Sequence, residues 1–125
     1  MTRIPRLTVL ALILAAPFSI LAADAAKARD PSEMTVEERT AIMRRVNDYN
    51  GCVYKESMAR VDALPDIRQA ADEGMAACRP TLDTLHETIV NFDFESSFAD
   101  QFLHHTQSRA VRMLIPELSM RKGSQ

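Results

Sequence analysis

Residues 52–78, CVYKESMARVDALPDIRQAADEGMAAC, decide the fold. Pro65 stands 13 residues after Cys52 and 13 before Cys78. Leu64-Pro65-Asp66 punctuates the chain, because the residue before a proline is pushed out of the helical region. Two antiparallel helices folded at Pro65 would put both sulfurs at one level, about 20 Å from the turn at a rise of ~1.5 Å per residue. The reading therefore rests on whether both flanks are helical with the cysteines on their apolar faces.

Upstream, Thr35 and Glu38 form a capping box, and Ile42, Val46, Tyr49, Cys52 and Val53 follow at steps of three and four. A helix from Thr35 to Ala63 results, and Gly51 does not break it because the apolar phase continues past it. Downstream, Asp66 with Gln69 suggests a second capping box. The stripe Ile67, Ala71, Gly74, Cys78, Leu82, Leu85 and Ile89 defines a second helix. Ala70, Ala71, Gly74 and Ala77 leave room for backbones to approach beside the cysteines. Pro80 removes one backbone donor, and the stripe resumes in phase at Leu82, which favours a kink near Arg79 over a true end.

With two cysteines in the chain, one intramolecular pairing exists, Cys52 with Cys78. Closing this loop removes denatured-state entropy worth roughly 3 to 4 kcal/mol in the chain-entropy model, so the bond reads as a brace. A redox pair or thiolate metal site is the weaker alternative, since there is no Cys-x-x-Cys and both positions lie on apolar stripes, where thiolates are disfavoured.

A third helix follows the interruption Asn91-Phe92-Asp93-Phe94-Glu95, with Ser96 or Ser97 as its cap and Asp100 in its first turns. Its apolar face is expected from Phe98, Phe102, Leu103, Ala110, Val111, Met113 and Leu114. Pro116 is expected to end it or to restart a short turn carrying Leu118 and Met120. The expected fold is all-α: a disulfide-linked antiparallel hairpin plus a third helix, which covers the stripes that a hairpin alone would expose.

The start of the chain reads as an export signal. Arg3 and Arg6 precede an uncharged run from Leu7 to Ala23 that contains Pro17 and leads into small residues. The run is 17 residues long, at the bottom of the range for spanning hydrocarbon, so cleavage is preferred over an uncleaved anchor. The division is then 1–23 signal peptide, 24–34 flexible leader, 35–120 helical domain and 121–125 polar tail. The signal grammar is bacterial and points to the periplasm or the outside, with no stable membrane span after cleavage.

From Asp24 onward the chain carries 13 basic against 17 acidic side chains. About 100 residues hold one small domain and exclude a barrel enzyme, a two-domain dinucleotide fold or a porin. Mild acidity with interleaved signs gives no support to nucleic-acid binding, which wants a net basic stripe. Arg44-Arg45 and Arg109 with Arg112 read as solvated helix faces.

Catalytic signatures are absent from the sequence. Three glycines cannot build a phosphate-cradling loop, and there is no Gly-x-Ser-x-Gly elbow. His86-Glu87 opens like a zinc-protease motif, but Val90 stands where the second histidine belongs. No cofactor is implied. A metal site from His86, Asp100 and His104, with Met113 or Met120, is the alternative; Asp100 with His104 is more simply an i,i+4 pair. The six methionines after the initiator are scattered, as core filling or adaptable contact surface would have them. Phe92, Phe94, Phe98 and Phe102 concentrate four of the five phenylalanines and are the candidate partner-binding residues, should they be exposed.

The sequence thus reads as a small exported helical binding protein without an enzyme site. It would present apolar surface, from the Phe-rich turn and the Met-bearing helix faces, to an unidentified protein partner or to a second copy. Size, helicity and one disulfide resemble small periplasmic stress chaperones, and no motif assigns the chain to that or any other family. A periplasmic metal-binding or metal-sensing domain is the alternative reading.

Overall fold

The computed structural model describes residues 27–125, so the expected signal peptide and the first residues of the leader lie outside the described residues. Among those described, the fold is all-helical and no strand is formed. A short 3-10 turn, Pro31–Glu33, precedes α1 (Val36–Arg60), α2 (Ile67–Ala77), α3 (Arg79–Val90) and α4 (Ser96–Gly123).

The capping box of α1 forms as expected: the Glu38 N–H donates to Thr35 Oγ1 at 3.2 Å and the Thr35 N–H to Glu38 Oε2 at 2.9 Å. At α2 the Arg68 N–H donates to Asp66 Oδ1 at 2.8 Å. Gln69 departs from the expected box, since its Nε2 donates forward to Glu73 Oε1. Asp66 alone caps the helix.

The second helical stretch divides at Cys78 instead of bending. Cys78 leaves helical geometry (φ −95°, ψ 12°), and Pro80 falls in the first turn of α3, where a missing N–H costs no helical hydrogen bond. The side-chain phase survives the break: Ala71, Gly74, Cys78, Leu82, Leu85 and Ile89 are all buried. They pack with Ile42, Tyr49 and Val53 of α1 and with Ala110, Leu114 and Leu118 of α4 in one core. Cys52 and Cys78 are joined by a disulfide, their Cα atoms 5.9 Å apart.

α4 differs from expectation at both ends. Neither Ser96 nor Ser97 caps it; Glu95 holds the cap position, and Ser97 Oγ donates to the Glu95 carboxylate. Pro116 sits inside an unbroken 28-residue helix. An interior proline costs about 3 kcal/mol of helix propensity, and the buried Leu114 and Leu118 on either side of Pro116 offset that cost. The face that packs inward is Ala99, Thr106, Ala110, Leu114 and Leu118, and Met113, expected in the apolar face, is 60% exposed.

The described part of the leader, residues 27–34, and the end of α4 are both tied to the rest of the fold. Arg121 Nη2 donates to Asp62 Oδ2 at 2.8 Å, and Lys122 Nζ donates to the Val61 carbonyl at 3.4 Å and to that of Leu64. The end of α4 thereby ties down the connection between α1 and α2. At the other end of the chain, the Arg29 N–H donates to the Asp93 carbonyl at 2.9 Å. Asp93 adopts φ 65° after α3, a left-handed conformation that Asp tolerates better than most side chains.

Candidate functional site

Helices α1 and α4 leave a furrow along their seam. Its best-formed part encloses about 350 Å³ and is lined by Asn50, Val53 and Tyr54 of α1 and by Ala110, Met113, Leu114 and Glu117 of α4. A second hollow of about 300 Å³ shares Asn50 and Met113 with the first, and extends toward the start of α1 through Met43, Val46 and Asn47. Phe102, His105, Thr106 and Arg109 form its α4 side. A third depression continues from Met43 and Asn47 past Arg44 to Arg39. Lined by both helices, the furrow runs from Met43 to Tyr54, about 17 Å of helix at ~1.5 Å per residue, and the depression over Arg39, Thr40 and Arg44 adjoins its end on α1 alone.

The helical periods explain this surface. Val53, Ala110 and Leu114 belong to the core and form the floor, whereas Met43, Tyr54 and Met113 stand on the walls, 46%, 48% and 60% exposed. Ala110 is small, so the floor is low where the two helices face each other. Asn50 Oδ1 is buried there without a hydrogen-bond partner in the protein. Apolar walls, flexible methionine side chains and a low floor are the properties of a seat for an apolar segment, since Met adapts its shape to what it covers.

The phenylalanines divide differently from expectation. Phe94 is 3% exposed and belongs to the core, while Phe92, Phe98 and Phe102 are partly buried against it. The Phe94 and Phe98 ring centroids lie 5.7 Å apart and those of Phe98 and Phe102 6.1 Å apart, a tilted aromatic ladder. Arg29 lies over the Phe94 ring at 5.0 Å. The Phe-rich turn is therefore closed by the leader, and of the four rings Phe102 reaches the furrow.

Arg29 is the centre of that closure. Its Nη1 donates to Glu38 Oε1 at 2.6 Å and to the Phe92 carbonyl at 3.0 Å, and its Nη2 donates to the Glu33 carbonyl at 3.0 Å and to Glu38 Oε2 at 3.1 Å. The two bonds from Arg29 to the Glu38 carboxylate, together with that from the Thr35 N–H, hold the Glu38 carboxyl at a pKa of about 2. The Arg29 guanidinium is in turn raised by Glu38.

The alternative metal residues meet only in part. His86 Nε2 and Asp100 Oδ1 lie 3.1 Å apart, bridging α3 and α4. His104 is exposed one turn after Asp100, and Met113 and Met120 point to solvent. Among the described residues, no group of three or more His, Cys, Asp or Glu side chains is gathered as a metal site. No helix among them is long and apolar enough to cross a membrane.

Sequence reasoning missed the furrow as a site. Its signal was present as Met43, Asn47, Asn50 and Tyr54, spaced by three and four beside the core stripe of α1, but only the pairing of α1 with α4 turns that spacing into a concave surface. Compared with known proteins, the chain matches no family model, no curated protein and no solved structure.

Proposed function

We propose that this chain is an exported, periplasmic binding protein that holds an apolar segment of a protein partner in the α1/α4 furrow, in the manner of a small chaperone. The observation that carries the reading is the continuous furrow with Met43, Tyr54 and Met113 exposed along it. Binding rather than catalysis is the role such a surface supports, since it offers apolar area and no convergent set of acid, base and nucleophile. Export is supported by the Arg3, Arg6 and Leu7–Ala23 pattern and by a disulfide that suits an oxidising compartment. In this reading α1 and the α2–α3 stretch form an antiparallel hairpin about Pro65, clamped by Cys52–Cys78, and α4 supplies the other wall of the seat.

The test is suppression of aggregation of a reduced exported client, followed by light scattering, with the oxidised protein and two variants. Met113→Glu, on an exposed wall position, is expected to abolish suppression while leaving the urea midpoint unchanged. Glu87→Gln, on the exposed face of α3, is expected to leave suppression intact. Undiminished suppression by Met113→Glu, or none by the wild type, contradicts the reading.

A further inference from the structure

The geometry points to an acidic amphipathic helix as the occupant of the furrow. This inference rests on the binding role proposed above and adds the chemistry of the partner. Arg109 lines the α1/α4 furrow, Arg39 and Arg44 line the α1 depression that adjoins one end of it, and Glu117 lines the hollow over Ala110 toward the other end. Among the described residues, Arg39, Arg44 and Arg109 form no ion pair, although five other arginines do. Asp48, the acid one turn beyond Arg44, pairs with Arg45 instead. Arg68 and Arg112 are likewise without an ion pair among the described residues, so what sets Arg39, Arg44 and Arg109 apart is their place beside Met43, Asn47 and Met113.

That combination selects its ligand. Apolar side chains must fill the low floor over Ala110, and carboxylates must flank them to meet the arginines, which bind such groups in a planar, two-pronged geometry. A furrow between two helices, about three helical turns long at ~5.4 Å per turn, is the seat for a third helix with anchors at i, i+3, i+4 and i+7. A flat anionic membrane would reach the rim and leave the floor empty. A second copy presents the same hollow, so pairing of the two faces leaves it unfilled.

The test uses the oxidised full-length protein and two fluorescein-labelled synthetic helices of about 18 residues, sufficient to span the furrow. They share one leucine face and carry either Glu or Lys at every flanking position. By fluorescence anisotropy the Glu helix is expected to bind about tenfold tighter than the Lys helix at low salt, the sum of three modest charge contacts, with the gap closing as salt screens them. The Arg44→Glu, Arg109→Glu double variant reverses the preference, Arg44→Gln, Arg109→Gln reduces it to about twofold, and Met113→Glu weakens both helices. Circular dichroism and the urea midpoint verify that each variant is folded.

Equal binding of both helices, lost together in Met113→Glu, overturns the acidic partner and leaves the furrow as a binding site. Binding of neither helix, or binding indifferent to Met113→Glu, overturns both. Binding of phosphatidylglycerol vesicles that Arg44→Gln, Arg109→Gln abolishes, with the Glu helix bound no tighter than the Lys helix, assigns the arginines to a membrane surface and overturns the proposal. Sedimentation showing a dimer that Met113→Glu dissociates assigns the furrow to self-association and also overturns it.

Discussion

A Cβ placed on Gly74 would stand 2.0 Å from Ser57 Oγ and 2.9 Å from the Ser57 backbone nitrogen. Helices α1 and α2 therefore touch through backbone at this point, five residues beyond Cys52 on one side and four before Cys78 on the other. Glycine is required here by space and not by backbone conformation, for no glycine in the described chain has positive φ.

Gly74→Ala is accordingly expected to destabilise the fold by about 1 to 3 kcal/mol, the usual cost of overpacking a close contact. Ser57→Ala in that background recovers only part of the loss, because the backbone clash remains. Ser57→Ala alone is expected to be neutral or slightly stabilising, since the buried Ser57 Oγ has no hydrogen-bond partner. Urea denaturation of the three variants checks the order.

The disulfide closes a loop with a sequence separation of 26. Its removal by Cys52→Ala with Cys78→Ser is expected to cost roughly 3 to 4 kcal/mol, mainly through the denatured state, plus the cost of a serine hydroxyl at the fully buried position 78. Comparison of denaturant midpoints for the oxidised protein and the double variant measures it, with the slope expected to rise as the unfolded chain expands.

The Arg29–Glu38 pair gives the fold an acid-sensitive clasp. The Glu38 pKa is depressed from its ordinary 4.5 to about 2 in the folded chain, so its contribution is present above the unfolded value and lost as pH falls from there toward 2. Glu38→Gln is expected to flatten the fall of stability across that window relative to wild type. Asp30, Glu56 and Asp62, also held below their ordinary values by their partners, retain their own acid sensitivity in both proteins. Because Arg29 binds the leader to the turn after α3, Arg29→Ala is expected to raise hydrogen exchange in residues 27–34 and around Asp93 well before global unfolding.

At the other end, Lys122 caps the carbonyls of Val61 and Leu64, while the Arg121–Asp62 pair is largely exposed. Lys122→Met is therefore expected to cost about 1 kcal/mol and Arg121→Ala less than that, in keeping with charged caps and surface pairs. A larger effect from Arg121→Ala would reverse this assignment.

Much of the helical order was legible in the sequence because its signals are local. Thr35 with Glu38 marks the start of α1, and the spacing of Cys52, Pro65 and Cys78 anticipates the bond between the cysteines. The departures come from tertiary contacts that no local rule carries. Pro116 reads as a stop, yet Leu118 is fully buried beyond it, and Lys122 finds carbonyls at the α1–α2 connection. Arg29 looks like part of a polar leader until Glu38 and the Phe92 carbonyl are placed around it. Met113 reads as core by period, but α4 turns Ala110 and Leu114 inward and leaves Met113 on the furrow wall.

The most direct measurement of the central claim is a methyl spectrum of protein labelled with [13C]methyl-methionine, recorded while the Glu-flanked helix is added. The six methionines after the initiator report on separate regions of the fold. Binding in the furrow predicts shifts or broadening at Met43 and Met113, with Met34 at the end of the leader and Met75 in α2 unchanged. Perturbation of Met34 and Met75 with Met43 and Met113 silent would contradict the assignment of the α1/α4 furrow as the binding site.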